Sequence, residues 1–267
     1  MRWMRVLGYY CYSLVEMLVW FKNWPSLIPL FLHRRLKCTR KIKLRRPNIE
    51  ILVRSAMDVW AVKETFIDQF YTRYSLPVQV GWTVVDIGAG IGDYCIYAAH
   101  WNAGVRVYAF EPYTESFELM QRNLALNGIE NVHAFQKAVW SRESQLALDI
   151  KNGEPLQISS QEHPVGHKDA EPIVVAAITL QNLFDDENLK NIDLLKMDCE
   201  GAEYEVLLHT PQVVFNKIDR IIMEYHDLDE TRSHSVLAAF LKAKGYLVKC
   251  HPNFVHKQIG YLFAAHL

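Results

Sequence analysis

Residues 84–94, VVDIGAGIGDY, constrain this chain more than any other stretch. A β-branched run, TVVDI at 83–87, ends in three glycines, and a helical pattern, GDYCIYAAHWNA, begins immediately behind them. Glycine alone takes up positive φ at no cost, so the segment reads as strand, tight turn and helix. The alternation then repeats. VRVYAFEP is a second strand, and TESFELMQRNLALNG is a helix with Thr114 as its expected N-cap and Gly128 as its stop. NVHAFQKAV, IDLLKMD, IDRIIMEYH, YLVKC and GYLFAA follow as strands, with helices expected near 202–209 and 232–244. Strands alternating with helices predict an α/β fold with a parallel, doubly wound sheet. The last two apolar runs flank HPNFVHKQI, whose proline and asparagine predict a terminal antiparallel hairpin. Upstream, IEILVRS alternates as a strand, and DVWAVKETFIDQFYTRY carries helical spacing.

Between residues 141 and 178 the rhythm breaks. SQLALDI and PIVVAAI read as strands around a long polar connection, KNGEPLQISSQEHPVGHKDAE, expected to be a loop inserted on the substrate side.

The glycine turn does not carry the dinucleotide fingerprint. Gly88, Gly90 and Gly92 are spaced G-x-G-x-G, and Asp93 stands where G-x-G-x-x-G needs its third glycine. Asp86 and Asp93 flank the turn, and like charges in a partly dry crevice would oppose a diphosphate. The same carboxylates would attract the ammonium and sulfonium of S-adenosyl-L-methionine. Glu111, nineteen residues beyond Gly92 at the end of the second strand, can accept hydrogen bonds from both ribose hydroxyls.

Charge divides the chain sharply. Residues 1–46 carry eleven basic side chains and one acid, Glu16, a net of +10, which leaves 18 basic and 29 acidic side chains, or −11, for the rest. The basic part is also rich in aromatic and aliphatic residues, but Glu16, Lys22, Pro25 and Pro29 interrupt every run that could span a bilayer. Two readings stay open: helices packed on the main domain, or a segment lying in an anionic membrane surface. The acidic remainder argues against nucleic acid as a partner. Five cysteines (Cys11, Cys38, Cys95, Cys199, Cys250) stand singly, as reduced thiols of a cytoplasmic protein would. His163 with His167, and His251 with His256, have spacings a metal could use, but no pattern completes a ligand set; no metal is expected, the alternative being a divalent cation on Asp198, Glu200 and Glu224.

Several blocks together resemble the FkbM-family methyltransferases, a branch of the class I S-adenosylmethionine-dependent enzymes. They are VVDIGAGIGDY, VYAFEPYTESFELMQRNLALNG, FQKAV, ITLQNLF, IDLLKMDCEGAEYEVL and IIMEYHD; KMDCEGAE is the most family-specific. Gly90 departs mildly from the asparagine of many relatives. The resemblance runs from about residue 50 to the C-terminus. It implies a Rossmann-like methyltransferase domain, taken here as 47–267, and a mostly parallel seven-stranded sheet with a reversed last strand; residues 1–46, read from their composition as a basic, apolar helical appendage, fall outside it. It also implies methyl transfer to a hydroxyl of a sugar, glycolipid or other small molecule, and through its blocks it adds Pro112, Lys137 and Ala138 to the cofactor set of Asp86, Gly88, Gly90, Gly92 and Glu111.

In an open parallel sheet, ligands lie beyond the carboxyl ends of the strands. Lys196, Asp198 and Glu200 sit there on one strand, and Glu224, His226 and Asp227 on another. Removing the proton of an alcohol needs a base, and His226 is the first choice because an ordinary imidazole is largely neutral near pH 7. Asp198 is expected to orient the cofactor or the acceptor hydroxyl, Glu224 to pair with Lys196, and Cys199 to be a small buried side chain. Two rivals remain: a nicotinamide-dependent oxidoreductase, and a membrane-surface module that binds S-adenosylmethionine without catalysis.

Overall fold

The computed structural model describes residues 2–32, 39–151, 154–160, 173–253 and 255–266, with the side chains of residues 2–7 and 149–160 left aside. The chain opens with α1 (Arg2–Trp20), a 3-10 turn (Trp24–Leu27) and α2 (Ile28–Leu32). A hairpin of β1 (Arg40–Lys43) and β2 (Glu50–Val53) follows, then α3 (Ala56–Lys63), a π-helical turn (Glu64–Asp68) and α4 (Phe70–Arg73). The expected unbroken helix over 58–74 is therefore interrupted. Gln69 adopts a left-handed φ of 53°, and the chain turns there to bring α4 over the sheet.

The sheet begins at the glycine turn. β3 (Thr83–Ile87) leads into α5 (Asp93–His100), β4 (Arg106–Phe110) into α6 (Thr114–Leu126), and β5 (Val132–Phe135) closes that half. α6 starts one residue earlier than expected, with Tyr113 rather than Thr114 as N-cap, and Gly128 follows its end at a φ of 62°. β6 (Ala138–Val139), β7 (Ser144–Lys151), β8 (Glu154–Ser160) and β9 (Ile173–Ile178) form a separate four-stranded sheet in the order β6-β9-β7-β8. The polar connection is thus partly strand: β8 pairs with β7 as an antiparallel edge. The remainder of that connection, His163 and His167 included, lies outside the described residues.

The second half runs α7 (Leu180–Asp186), β10 (Leu194–Met197), α8 (Glu203–Leu208), α9 (Gln212–Phe215), β11 (Arg220–His226), α10 (His234–Ala243), β12 (Leu247–Pro252) and β13 (Ile259–Ala265). Thr179 caps α7 reciprocally with Asn182, within the ITLQNLF block. The main sheet has the order β12-β13-β11-β10-β3-β4-β5, and β13 runs antiparallel to both its neighbours. The expected terminal hairpin is β12–β13. This is the class I methyltransferase arrangement that the resemblance implied.

Successive strand residues point to opposite faces and divide the core in two. Val85, Ile87, Leu195, Met197 and Met223 pack with α7, α8 and α10 and with the small sheet. Val84, Val107, Leu194 and Ile222 pack with α3, α5, α6 and with Met17, Phe21, Leu27 and Leu30 of the N-terminal segment. Full burial of a Leu or Phe contributes about 1.5–3 kcal/mol, so these four residues tie the first thirty to the domain by several kcal/mol. Glu16, the lone acid of that segment, meets the wholly buried ammonium of Lys63 at 3.1 Å, and Asp68 meets the same ammonium at 2.6 Å. The β1–β2 hairpin spans residues 40–53, so the expected division at residue 46 falls in its turn.

Three asparagines finish the hairpin. Asn123 of α6 and Asn127, its C-cap, bond the backbone N–H and C=O of Leu52 and Glu50, at 2.7–3.1 Å. Asn23 does the same for Lys43 N and Lys41 O on the opposite edge.

Candidate functional site

The ends of β3 and β10 approach so closely that a Cβ on Gly88 would lie 1.8 Å from the carbonyl oxygen of Asp198. With its φ of 75°, only glycine fits there. The backbone N–H of Gly90 donates to Glu111 Oε2 at 2.8 Å, and Tyr113 N donates to Oε1 at 2.9 Å. Glu111 is thereby fixed at the end of β4. Burial pushes its carboxyl up to about 7 against those two hydrogen bonds.

Beyond these strand ends opens a cleft lined by Gly88, Glu111, Pro112, Lys137, Ala138, Asp198 and Glu200 among others. Five of the eight residues expected to hold a cofactor therefore line one cleft. The other three do not line it. Gly90 and Gly92 shape the turn, and Gly92 packs so tightly on Met120 that a Cβ would come within 2.7 Å of its Cγ. Asp86 is wholly buried beneath the loop and paired with Lys196 at 2.8 Å. Asp93 is buried too, hydrogen-bonded by Thr65, with burial raising it to about 6. The carboxylates that flank the glycines are thus spent inside the fold. The negative charge that reaches the cleft comes from Glu111, Asp198 and Glu200.

Lys196 also donates to Gly88 O at 3.0 Å, so it braces the glycine turn and does not pair with Glu224 as expected. Glu224 stands instead in a cluster of acids. Burial, then the charges of Asp198 and Glu64, raise its carboxyl well above the usual range. Burial, then Asp198 and Asp68, push Glu64 up to about 8. Tyr71 donates to Asp198 Oδ2 at 2.7 Å, and its ring packs edge-on against Tyr94 and Tyr261. The turn at Gln69 is what delivers Tyr71.

His226 is differently placed from its expected role. Its Nδ1 lies 3.3 Å from Glu203 Oε1 and its Nε2 3.5 Å from Glu200 Oε2. Burial opposes its charge, but the hydrogen bond to Glu203 and the charges of Glu203, Asp198 and Glu200 outweigh it and push the imidazole up to about 10. The neutral imidazole on which its choice as base rested is absent near pH 7. Asp227 accepts from His234 N at 2.5 Å and starts α10, a structural duty. Cys199 is buried as expected, with its N–H on Glu203, though it also borders the cleft. Glu200 holds a left-handed φ of 52°, a strained conformation for a side chain with a Cβ. Ligand atoms of Asp198, Glu200 and His226 lie within 4.8 Å of one another, close enough to share a cation.

Glu64, Tyr71, Tyr261 and Glu203 were not singled out in the sequence. Glu203 stands in the EGAE block, but Glu64 and Tyr71 lie on the segment before the sheet, where no motif marks them.

The Methyltransferase FkbM domain family matches residues 86–248, more than half of the chain. This chain belongs to the FkbM methyltransferase family. Among the family's curated relatives, Methyltransferase 1 of Beauveria bassiana is 27% identical over 202 residues, covering 70% of this chain and 80% of its own. The 31-O-demethyl-FK506 methyltransferase FkbM of Streptomyces tacrolimicus is 24% identical, with the same shares covered. The solved Methyltransferase FkbM from Methylobacillus flagellatus is 14% identical at a TM-score of 0.47, covering 70% of this chain and 44% of that one. The FkbM chain described here is accordingly a methyltransferase, and a nicotinamide-dependent oxidoreductase is not favoured.

Proposed function

We propose that this FkbM-family chain is an S-adenosylmethionine-dependent O-methyltransferase acting on a hydroxyl of a small-molecule or glycan acceptor. One observation carries the reading: Asp198 borders the cleft beyond the glycine turn on one side and heads the acid cluster of Glu64 and Glu224 on the other. A donor site and a proton-accepting site thus meet at a single side chain.

The residues of the cleft fit the cofactor. Glu111 offers its remaining lone pairs to ribose hydroxyls, the bare backbone at Gly88 allows close approach, and Asp198 with Glu200 favours a cationic ligand over a diphosphate. When bound, S-adenosylmethionine supplies an activated methyl group. The protein's own work is alignment and proton removal. Asp198 receives the acceptor hydroxyl, held by Tyr71 from the other side. The proton passes from Asp198 towards Glu64 and Glu224, whose raised affinity for protons makes their ionised forms stronger bases than an ordinary carboxylate. His226, as imidazolium, balances Glu200 and Glu203 and orients the rim. The name of the Streptomyces tacrolimicus relative, with its 31-O-demethyl acceptor, supports a hydroxyl as the target.

A mass-shift screen of glycans and glycolipids, seeking a gain of one methylene with S-adenosylmethionine present, tests this reading. Asp198→Asn and Glu224→Gln should abolish the shift while cofactor uptake by Glu224→Gln stays intact. Calorimetry with uptake of NADH and no heat from S-adenosylmethionine would overturn it. A second reading has its own observation, the close approach of Asp198, Glu200 and His226: a divalent cation there would acidify the hydroxyl directly. Activity lost to a chelator and restored by magnesium would select that version.

A further inference from the structure

α1 has two faces of different character. Towards the domain it turns Ser13, Glu16 and Met17, and the Tyr9 ring stands 6.0 Å from that of Trp60. Towards solvent it turns Tyr12, Leu14, Val15 and Val19, each 54–63% exposed, and α2 continues the surface with Phe31 and with Leu32, 72% exposed. The acid that could have made this outer face polar, Glu16, is committed to Lys63. Large apolar residues left in water over two successive helices mark a surface that something covers. No described helix is long and apolar enough to cross a membrane.

We infer that the outer face of α1 and α2 seats this protein on an anionic lipid surface, lying in the interface rather than spanning it. Charge decides the occupant. In sequence the apolar face is bracketed by Arg2 and Arg5 before it, Lys22 within it and Arg34, Arg35 and Lys37 behind it, part of the net +10 of residues 1–46. Anionic headgroups attract such a segment, and acyl chains take up the aliphatic face. A second copy would set two +10 segments against each other and is disfavoured for the same reason. The inner face points towards the acid cluster: Trp60 Nε1 donates to Glu64 at 3.0 Å. The docking stands whether or not the proposed reaction does, because it is measured without turnover.

Co-sedimentation of the full chain with vesicles of equimolar phosphatidylglycerol and phosphatidylcholine, against phosphatidylcholine alone, tests it. Binding should be at least about tenfold tighter to the anionic vesicles and should weaken with salt. The double variant Val15→Glu/Val19→Glu, at two exposed sites and checked by circular dichroism, should bind at least about tenfold more weakly. Wild-type protein left in the supernatant at low salt would overturn the inference, as would a double variant that binds like wild type. A dimer by light scattering that the double variant dissolves, without vesicle binding, would give the face to a second copy instead.

Discussion

His226 and Glu64 both feel the charge of Asp198, and each gives up a proton as pH rises, at different values. With Glu64 at about 8, a proton-accepting cluster gains its ionised form as pH rises through that value, while His226 stays cationic until about 10. The profile of kcat/KM, which reports the free enzyme, should climb towards pH 8 and fall above about 10. Glu64→Gln should remove or shift the lower limb; an unchanged limb would take Glu64 out of the proton path. Gly88 is subject to a simpler constraint. Gly88→Ala places a methyl on the Asp198 carbonyl at a left-handed φ, so cofactor affinity in calorimetry should collapse. The strain alone costs about 1–3 kcal/mol. At this scale the sequence was a partial guide. Glu111 and Gly88 were legible because the strand–turn–helix pattern fixes where they stand. Asp86 and His226 were misjudged because only the folded chain brings their partners near: Lys196 engages the buried Asp86, and Glu203 holds His226 as imidazolium.

Among the elements, the segment before the sheet departs furthest from expectation. β1 reads as a charge run, RKIK, yet its Ile42 is wholly buried and its lysines reach Glu50 across the hairpin. β8, at the edge of the small sheet, was hidden because its apolar residues are few and it carries Pro155, which a sequence reading takes for a loop. By contrast β3, β4, β10 and β11 are buried on both faces, and such strands announce themselves as apolar runs. The break at Gln69 left no mark because helical spacing continues past it. α1 should be structural in its own right through Lys63. Lys63→Met would strand Glu16 and Asp68 without their cation, and losing one partner of a buried pair costs about 3–5 kcal/mol. Chemical denaturation should show a loss of that order; a change within 1 kcal/mol, on the order of a surface pair, would mean that water reaches the site.

For the molecule as a whole, the acid cluster ties stability to pH. His226 rises from an ordinary 6.5 to about 10 on folding, so its contribution is fully present below 6.5 and is lost as pH climbs through 10. Glu64 rises from 4.5 to about 8, so the folded chain resists its ionisation across that window. Both effects lower stability as pH rises. Calorimetry should give a higher Tm at about pH 6 than at about pH 9, and the reverse order would show that the cluster is wetter than its burial suggests.

The asparagines around the β1–β2 hairpin have a consequence for solubility. Two strands with free edges offer backbone donors and acceptors to any other chain, a template for intermolecular pairing. Asn123 and Asn127 occupy one edge and Asn23 the other, each amide imitating the strand that is missing. Replacing Asn123 and Asn127 together by leucine would keep the bulk, free that edge, and turn a monodisperse preparation into one that forms β-rich aggregates on storage.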